Sequence, residues 1–161
     1  MKSLNLSIGY PLGYDIENTK KYNIEVKKTI IQLNKVEYML WCELSDPIVE
    51  NRRIDKTLLE GLINKAVVVE ADNLKELFVS IAYFQPVRQG IGYINNKMFS
   101  IILGETYYNP KKNELIVWNK CDGIKTVVDI CNELIDEYKL TTNDFIKTLL
   151  MLTMGNLVIL R

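Results

Sequence analysis

Apolar residues recur at helical spacing in two segments near the end of the chain, and each segment begins with a helix-capping signal. Thr126 stands three positions before Asp129, and Thr141 stands three positions before Asp144. The threonine oxygen accepts from the third backbone N–H of a helix, and the acid favours the positive end of the helix dipole. The first segment carries one apolar stripe, whereas the second, 142–154, is apolar on more than one face. The pattern predicts two helices, the second with apolar surface beyond a single core-facing side.

Extended segments are predicted on both sides of these helices. The turn Asn95-Asn96-Lys97 separates two apolar runs, which is a hairpin signal. Residues 111–119 fit either a buried strand or a short helix. The predicted extended segments of this half are 91–93, 98–102, 105–108 and 157–160. Three strands, two or three helices and a closing strand make a winged-helix-like layout.

The first half of the chain has a similar outline. Its predicted elements are strands at 24–26 and 30–31, a helix at 35–44, a helix capped by Asp55, a strand at 66–69 and a connecting helix at 73–84. Trp118 lies 77 positions after Trp41, and Asp122 lies 76 positions after Asp46. This recurrence predicts a diverged internal repeat. The expected fold is α+β, with two tandem winged-helix-like units at 1–85 and 86–161, of which the first is degenerate.

The amino-acid composition excludes several classes of function. The 161 residues include no histidine, and 20 basic residues balance 20 acidic ones. The lack of histidine excludes a His-based zinc site and a Ser-His or Cys-His pair. Three cysteines, Cys42, Cys121 and Cys131, form no CxxC pair and favour a reduced, cytoplasmic setting. The longest uncharged apolar stretch, 148–160, is too short to span a bilayer. We therefore expect a protein that is not an enzyme, does not associate with membranes and binds no cofactor or metal.

One segment carries a family resemblance. The run V-W-N-K-C-D-G-I-K-T-V, from Val117 to Val127, resembles the PqqD family. That family combines an apolar-Trp pair, Cys-Asp-Gly and Thr-Val before an amphipathic helix, a further helix and a short strand. The match extends over 86–161. In the first half, Ser45-Asp46-Pro47 stands in place of Cys-Asp-Gly, and the Thr-Val helix start is missing.

The resemblance implies a RiPP recognition element, a module that holds the leader of a ribosomally made precursor peptide. The leader adds as a strand to a sheet edge and lies against the third helix, a mode called β-augmentation. In this chain the implied edge is 105–108, and the implied groove wall is helix 142–154. The implied peptide-binding residues are Glu105, Thr106, Tyr107, Tyr108, Phe145, Leu149 and Leu152.

The expected partners are a precursor leader peptide and a separate peptide-modifying enzyme, by family analogy often a radical-SAM enzyme. The protein would then be a peptide chaperone in natural product biosynthesis. Two alternatives stay open. A winged-helix DNA-binding regulator would use Arg52, Arg53 and Lys56, although intervening acids and zero net charge disfavour nucleic acid. A structural subunit, such as a homodimer, would fill the groove with its own partner.

Overall fold

A computed structural model describes residues 4–14, 20–44, 54–95 and 98–161. The chain divides into two compact units. Unit 1 comprises residues 1–84 with 160–161, and unit 2 comprises residues 85–159. Over the described residues the protein is mixed α+β, with small antiparallel sheets and six helices.

Unit 1 contains a three-stranded sheet that leads directly into a helix. Its elements are β1 (Leu4–Ser7), β2 (Tyr10–Tyr14), β3 (Lys21–Val26), β4 (Thr29–Asn34), α1 (Lys35–Glu43), α2 (Lys56–Asn64), β5 (Val68–Ala71) and α3 (Leu74–Ile81). The sheet order is β2-β3-β4, and β1 pairs antiparallel with β5. Asn34 ends β4 and caps α1, since its side-chain oxygen accepts from the N–H groups of Val36 and Glu37 at 2.9 and 3.0 Å.

Over the described residues, unit 2 has the same order of strands as unit 1 but has three helices, and not two, before its last strand. Its elements are β6 (Pro86–Arg88), β7 (Ile91–Asn95), β8 (Met98–Leu103), β9 (Thr106–Tyr108), α4 (Lys112–Lys120), α5 (Val127–Tyr138), α6 (Thr142–Met154) and β10 (Val158–Leu160). The sheet order is β7-β8-β9, and β6 pairs with β10. The ambiguous segment 111–119 is a helix because Glu114 caps it, accepting from the Lys111 N–H at 2.7 Å.

The two predicted C-terminal helices are confirmed as α5 and α6. The side chains of Thr126 and Thr141 accept from the N–H groups of Asp129 and Asp144 at 3.3 and 3.1 Å. Lys139 ends α5 in the left-handed conformation, with φ of 59°. The apolar stripe of α5 is buried at Val127, Ile130, Cys131 and Leu134.

The second and third strands of the two sheets share one register. In unit 1, β3 pairs with β4 as Val26 with Thr29, Glu25 with Ile30 and Ile24 with Ile31. In unit 2, β8 pairs with β9 as Leu103 with Thr106, Ile102 with Tyr107 and Ile101 with Tyr108. Each pair of unit 2 lies 77 positions after its counterpart, the same spacing as the two tryptophans. The units therefore correspond residue by residue over the strand pairs β3–β4 and β8–β9, whereas β2 carries a register shift between Pro11 and Gly13 that β7 does not have.

The buried tryptophans make the same contact in both units. The Trp41 indole Nε1–H donates to the Ile8 carbonyl at 3.1 Å, and that of Trp118 donates to the Gln89 carbonyl at 3.1 Å. Ile8 and Gln89 each follow the first strand of their unit. Trp41 is 8% exposed and Trp118 is 4% exposed. Both tryptophans thus lie in the cores of their units.

The connections after α2 and α6 also correspond. Lys65 and Ala66 follow α2, and Gly155 and Asn156 follow α6. The N–H groups of Lys65 and Gly155 both donate to a carbonyl four residues earlier at 3.1 Å. Ala66 and Asn156 both adopt a left-handed φ, of 56° and 54°. Gly155 of unit 2 therefore occupies the place that Lys65 occupies in unit 1.

Candidate functional site

Strand β9 forms one edge of the unit 2 sheet. It pairs with β8 on one side, and within residues 4–14, 20–44, 54–95 and 98–161 no strand pairs with its other side. Glu105 and Thr106 are exposed, and Tyr107 is 66% exposed. The structure thus brings four of the predicted peptide-binding residues, 105–108, to one open edge.

The register identifies the backbone groups that point away from the sheet. The two-residue turn at Gly104 and Glu105 is closed by the pair of Leu103 and Thr106. A pair that closes such a turn exchanges hydrogen bonds, and the next pair along an antiparallel ladder does not. The N–H and C=O of Tyr107 consequently point outward and are free of β8.

Unit 1 supports the outward direction assigned to the N–H and C=O of Tyr107. Ile30 corresponds to Tyr107, and Gln32, two residues on, has the same backbone orientation. The Gln32 carbonyl accepts from the Lys65 ammonium at 3.4 Å, on the side away from β3. The backbone N–H and C=O groups of Ile30, Gln32 and the corresponding Tyr107 therefore point away from the sheet.

Tyr108 faces the interior and is held by a buried acid. Burial, followed by a hydrogen bond to the Glu114 carboxylate, raises the pKa of the Tyr108 phenol to about 12. Glu114 is 4% exposed and also accepts from the Lys111 N–H. The hydrogen bond of the Tyr108 hydroxyl thus holds the end of β9 against α4.

The predicted groove wall on α6 is wrong. Phe145, Leu149 and Leu152 are each 0% exposed, and the helix packs against α4 and α5. The apolar residues on more than one face of α6 serve the core, because a helix surrounded by other elements buries most of its circumference. The exposed residues of α6 include Lys147 and Met151. These three buried residues are therefore removed from the candidate site.

The Cys-Asp-Gly motif is a structural turn. Asp122 Oδ1 accepts from the Ile124 N–H at 2.8 Å. This bond, helped by one from the Lys125 N–H, lowers the pKa of the Asp122 carboxyl and outweighs the opposing effect of burial. The Gly123 N–H donates to the Pro86 carbonyl at 3.0 Å. The Cys121 thiol is 0% exposed, and burial raises its pKa to about 12, so it is not a thiolate nucleophile at neutral pH.

The acids of α5 take part in an ion-pair network on the surface of unit 2. The Glu133 carboxylate contacts the ammonium groups of Lys120 and Lys125, and Lys120 also contacts Glu137 at 3.1 Å. Hydrogen bonds from Lys120 and Lys125 lower the pKa of Glu133 to about 2. A carboxyl with so low a pKa is ionised at neutral pH and is a poor general acid, so we interpret this network as structural.

The corresponding edge of unit 1 is covered by Lys65. Its ammonium bonds the Gln32 carbonyl and forms an ion pair with Glu37 Oε1 at 2.6 Å. Glu37 in turn accepts from the Asn34 N–H at 2.8 Å, which ties the pair to the cap of α1. A lysine across a strand edge opposes the addition of another strand. Gly155 takes the place of Lys65 in unit 2, so at this position the described chain has no side chain that could cover the edge of β9 in the same way.

Several other predictions concern metals, membranes and nucleic acid. Among the described residues no cluster of acids and cysteines could hold a metal ion. No described helix is both long and apolar enough to cross a bilayer. Asp46, Arg52 and Arg53 lie outside the described residues, so the DNA surface proposed around them stays a prediction.

The family resemblance rests on the sequence motif at 117–127. No protein-family model, curated protein or solved structure matches this chain.

Proposed function

We propose that this protein recognises the leader of a ribosomally made precursor peptide by strand addition to β9, for delivery to a separate modifying enzyme. The observation that carries the proposal is the open edge at Tyr107, whose backbone N–H and C=O point away from β8. A fourth strand placed there would satisfy both groups and extend the antiparallel sheet.

The contrast between the two edges favours β9 as the binding edge. Strands β4 and β9 correspond in register, but in unit 1 Lys65 contacts the outward carbonyl of Gln32, the counterpart of Asn109. A peptide that added to β4 would have to displace this ammonium from both Gln32 and Glu37. No such displacement is needed at Tyr107. One leader per chain is therefore the expected stoichiometry.

Because the edge is short, backbone hydrogen bonds can supply only part of the free energy of leader binding. Tyr107 supplies two outward hydrogen-bonding groups, and each bond contributes a net of about 0.5–1.5 kcal/mol. Micromolar binding corresponds to about 8 kcal/mol. Side-chain contacts must supply the difference, and the exposed ring of Tyr107 is available for such contacts. Binding should therefore depend on the leader's sequence.

A proline substitution tests the edge directly. Tyr107→Pro removes the outward N–H without touching the β8 ladder, since proline is tolerated on an edge strand. We expect leader affinity to fall by about 2 kcal/mol, roughly thirtyfold, because one hydrogen bond is lost and a peptide carbonyl is left unpaired. The measurement is fluorescence anisotropy with the labelled leader peptide of a ribosomally made precursor.

Two control variants separate the backbone effect from other causes. Tyr107→Val keeps the N–H and removes the ring, so it measures the side-chain contribution alone. Ile30→Pro makes the same backbone change at the corresponding position of unit 1 and should leave leader affinity unchanged. Equal affinity in Tyr107→Pro and wild type would contradict strand addition at β9.

A further inference from the structure

Each unit carries a glutamate at the same position of the helix that follows its three-stranded sheet. Glu114 lies 77 positions after Glu37, and each stands four residues before the tryptophan of its unit, Trp41 or Trp118. Each carboxylate accepts from the N–H of the residue that precedes its helix, at 2.8 Å in unit 1 and 2.7 Å in unit 2. Residues four apart share a helix face, so both acids lie on the tryptophan side of their helices.

The two acids differ in whether a cation neutralises them. The Lys65 ammonium contacts Glu37 Oε1 at 2.6 Å. Glu114 is 4% exposed and accepts from the Lys111 N–H and the Tyr108 hydroxyl, and neither donor carries a positive charge. Among the described residues Glu114 belongs to no ion pair. Since burial of a carboxylate costs free energy that a nearby cation offsets, an ammonium beside Glu114 would be favourable.

The chain that follows α6 is anchored by the same hydrogen bonds as the chain that follows α2. The Val67 carbonyl accepts from the Ile8 N–H at 2.9 Å, and the Leu157 carbonyl accepts from the Gln89 N–H at 2.8 Å. The carbonyls of Ile8 and Gln89 in turn accept from the indole N–H of the tryptophan in their unit. Gly155, two residues before Leu157, therefore lies relative to α4 as its counterpart lies relative to α1.

Neither the backbone nor the available space requires a glycine at position 155. Gly155 is exposed and has φ of −78°, which any residue adopts. A Cβ there would lie 3.5 Å from the Leu157 side chain and 3.6 Å from the Met151 carbonyl oxygen, which are ordinary contacts. A lysine would thus fit in unit 2 as it does in unit 1. The glycine instead leaves the space that the Lys65 side chain fills in unit 1 open to a group from outside the chain.

We infer that a lysine of the bound leader takes the place of Lys65, with its ammonium between the Glu114 carboxylate and the Asn109 carbonyl. The inference rests on the proposed function. Side chains of paired residues share one face of a sheet, and Tyr108 faces the interior towards Glu114. An extended lysine reaches about as far from its backbone as a tyrosine. The lysine is therefore the leader residue that pairs with Tyr108, next in sequence to the one that pairs with Tyr107.

Peptide selection on the purified full chain tests for this lysine. Random peptides displayed on phage are enriched by binding, and the enriched peptides should share a lysine. Its replacement by norleucine keeps the length of the side chain and removes the charge, and should weaken binding by about ten- to hundredfold in fluorescence anisotropy. On the Glu114→Gln variant the two peptides should differ by less than about threefold, because the charged partner is gone.

Substitution of Gly155 tests the cation site without a peptide. Gly155→Lys should raise the Tm of unit 2 by about 4–8 °C above that of the matched variant Gly155→Ala. This difference should disappear when both changes are made in the Glu114→Gln background. Gly155→Lys should also abolish the preference for the lysine peptide over the norleucine peptide, whereas Gly155→Ala should keep it.

The outcomes separate this inference from strand addition itself. Selected peptides that lose affinity in Tyr107→Pro, yet bind equally with lysine and norleucine, would overturn the leader lysine and leave strand addition standing. Equal Tm values for Gly155→Lys and Gly155→Ala would also overturn the inference. If no selected peptide responds to Tyr107→Pro, strand addition at β9 is wrong and the leader lysine is wrong with it.

Discussion

Truncation of Leu149 tests whether α6 belongs to the core or lines a groove. Leu149 is 0% exposed in the middle of α6. Leu149→Ala removes three carbon groups, and at about 0.8 kcal/mol per buried CH₂ the lost transfer free energy is about 2.4 kcal/mol. The cavity left behind adds to this, and fully buried Leu→Ala changes cost about 2.7–5 kcal/mol. We expect a destabilisation of about 3–4 kcal/mol.

Urea and thermal unfolding, followed by circular dichroism, measure this loss. For a domain of 60–100 residues, 1 kcal/mol shifts Tm by about 4–8 °C, so the unit 2 transition should fall by roughly 15–25 °C. Met151→Ala is the matched control, since Met151 lies two positions away on the same helix and is 45% exposed. Its effect should stay within about 0.5 kcal/mol. Equal stability of the two variants would contradict the burial of Leu149 and would favour the peptide groove predicted on α6.

Two titrations test the remaining electrostatic assignments. The Tyr108 phenol should titrate near pH 12 by ¹³C NMR of ring-labelled tyrosine, and Glu114→Gln should lower that pKa only in part, because burial is the larger cause. Since the folded pKa is raised, the stabilisation is complete below pH 10 and decreases as pH rises towards 12. The Glu133 carboxyl should titrate near pH 2, and Lys120→Met should raise its pKa towards 4.5. Since this folded pKa is lowered, its stabilisation is present above pH 4.5 and is lost as pH falls towards 2. Ordinary pKa values for Tyr108 and Glu133 would contradict the hydrogen bonds assigned to them.

The elements with local capping signals could be predicted from the sequence. Thr126 and Thr141 identify the starts of α5 and α6, and Asp55 caps α2 through the N–H groups of Thr57 and Leu58. These signals involve residues within four positions of one another, so they can be recognised in the sequence without knowledge of the tertiary structure. The hairpin of β7 and β8 was predictable for the same reason, although Asn96 and Lys97 of its turn lie outside the described residues.

The strands that depend on distant partners were missed. Gly9, Pro11 and Gly13 resemble a loop, yet β2 passes through Pro11 and Gly13 with a register shift and pairs with β3. β1 is a strand because it pairs with β5, more than 60 residues later. Predicted strand 66–69 is shifted to Val68–Ala71, since Ala66 adopts a left-handed turn. Pairing over such distances leaves no local signal in the sequence.

The candidate site was predictable in part. The edge position of β9 followed from the family resemblance, and the structure leaves that edge open over the described residues. The role of α6 could not be decided from its sequence, because Phe145 and Leu149 would look the same in a core and in a groove. The cover of β4 by Lys65 depends on a contact between residues 33 positions apart, for which the sequence carries no local signal.

Leader binding is the most direct test of the central claim. The purified chain is titrated against two labelled probes, the leader of the neighbouring precursor and a duplex from its own promoter, and followed by fluorescence anisotropy. The account predicts saturable leader binding at about micromolar Kd with one leader per chain. It also predicts no salt-sensitive binding of the duplex, whose phosphates require clustered basic side chains. Duplex binding that weakens steeply with salt, without leader binding, would contradict peptide recognition at β9.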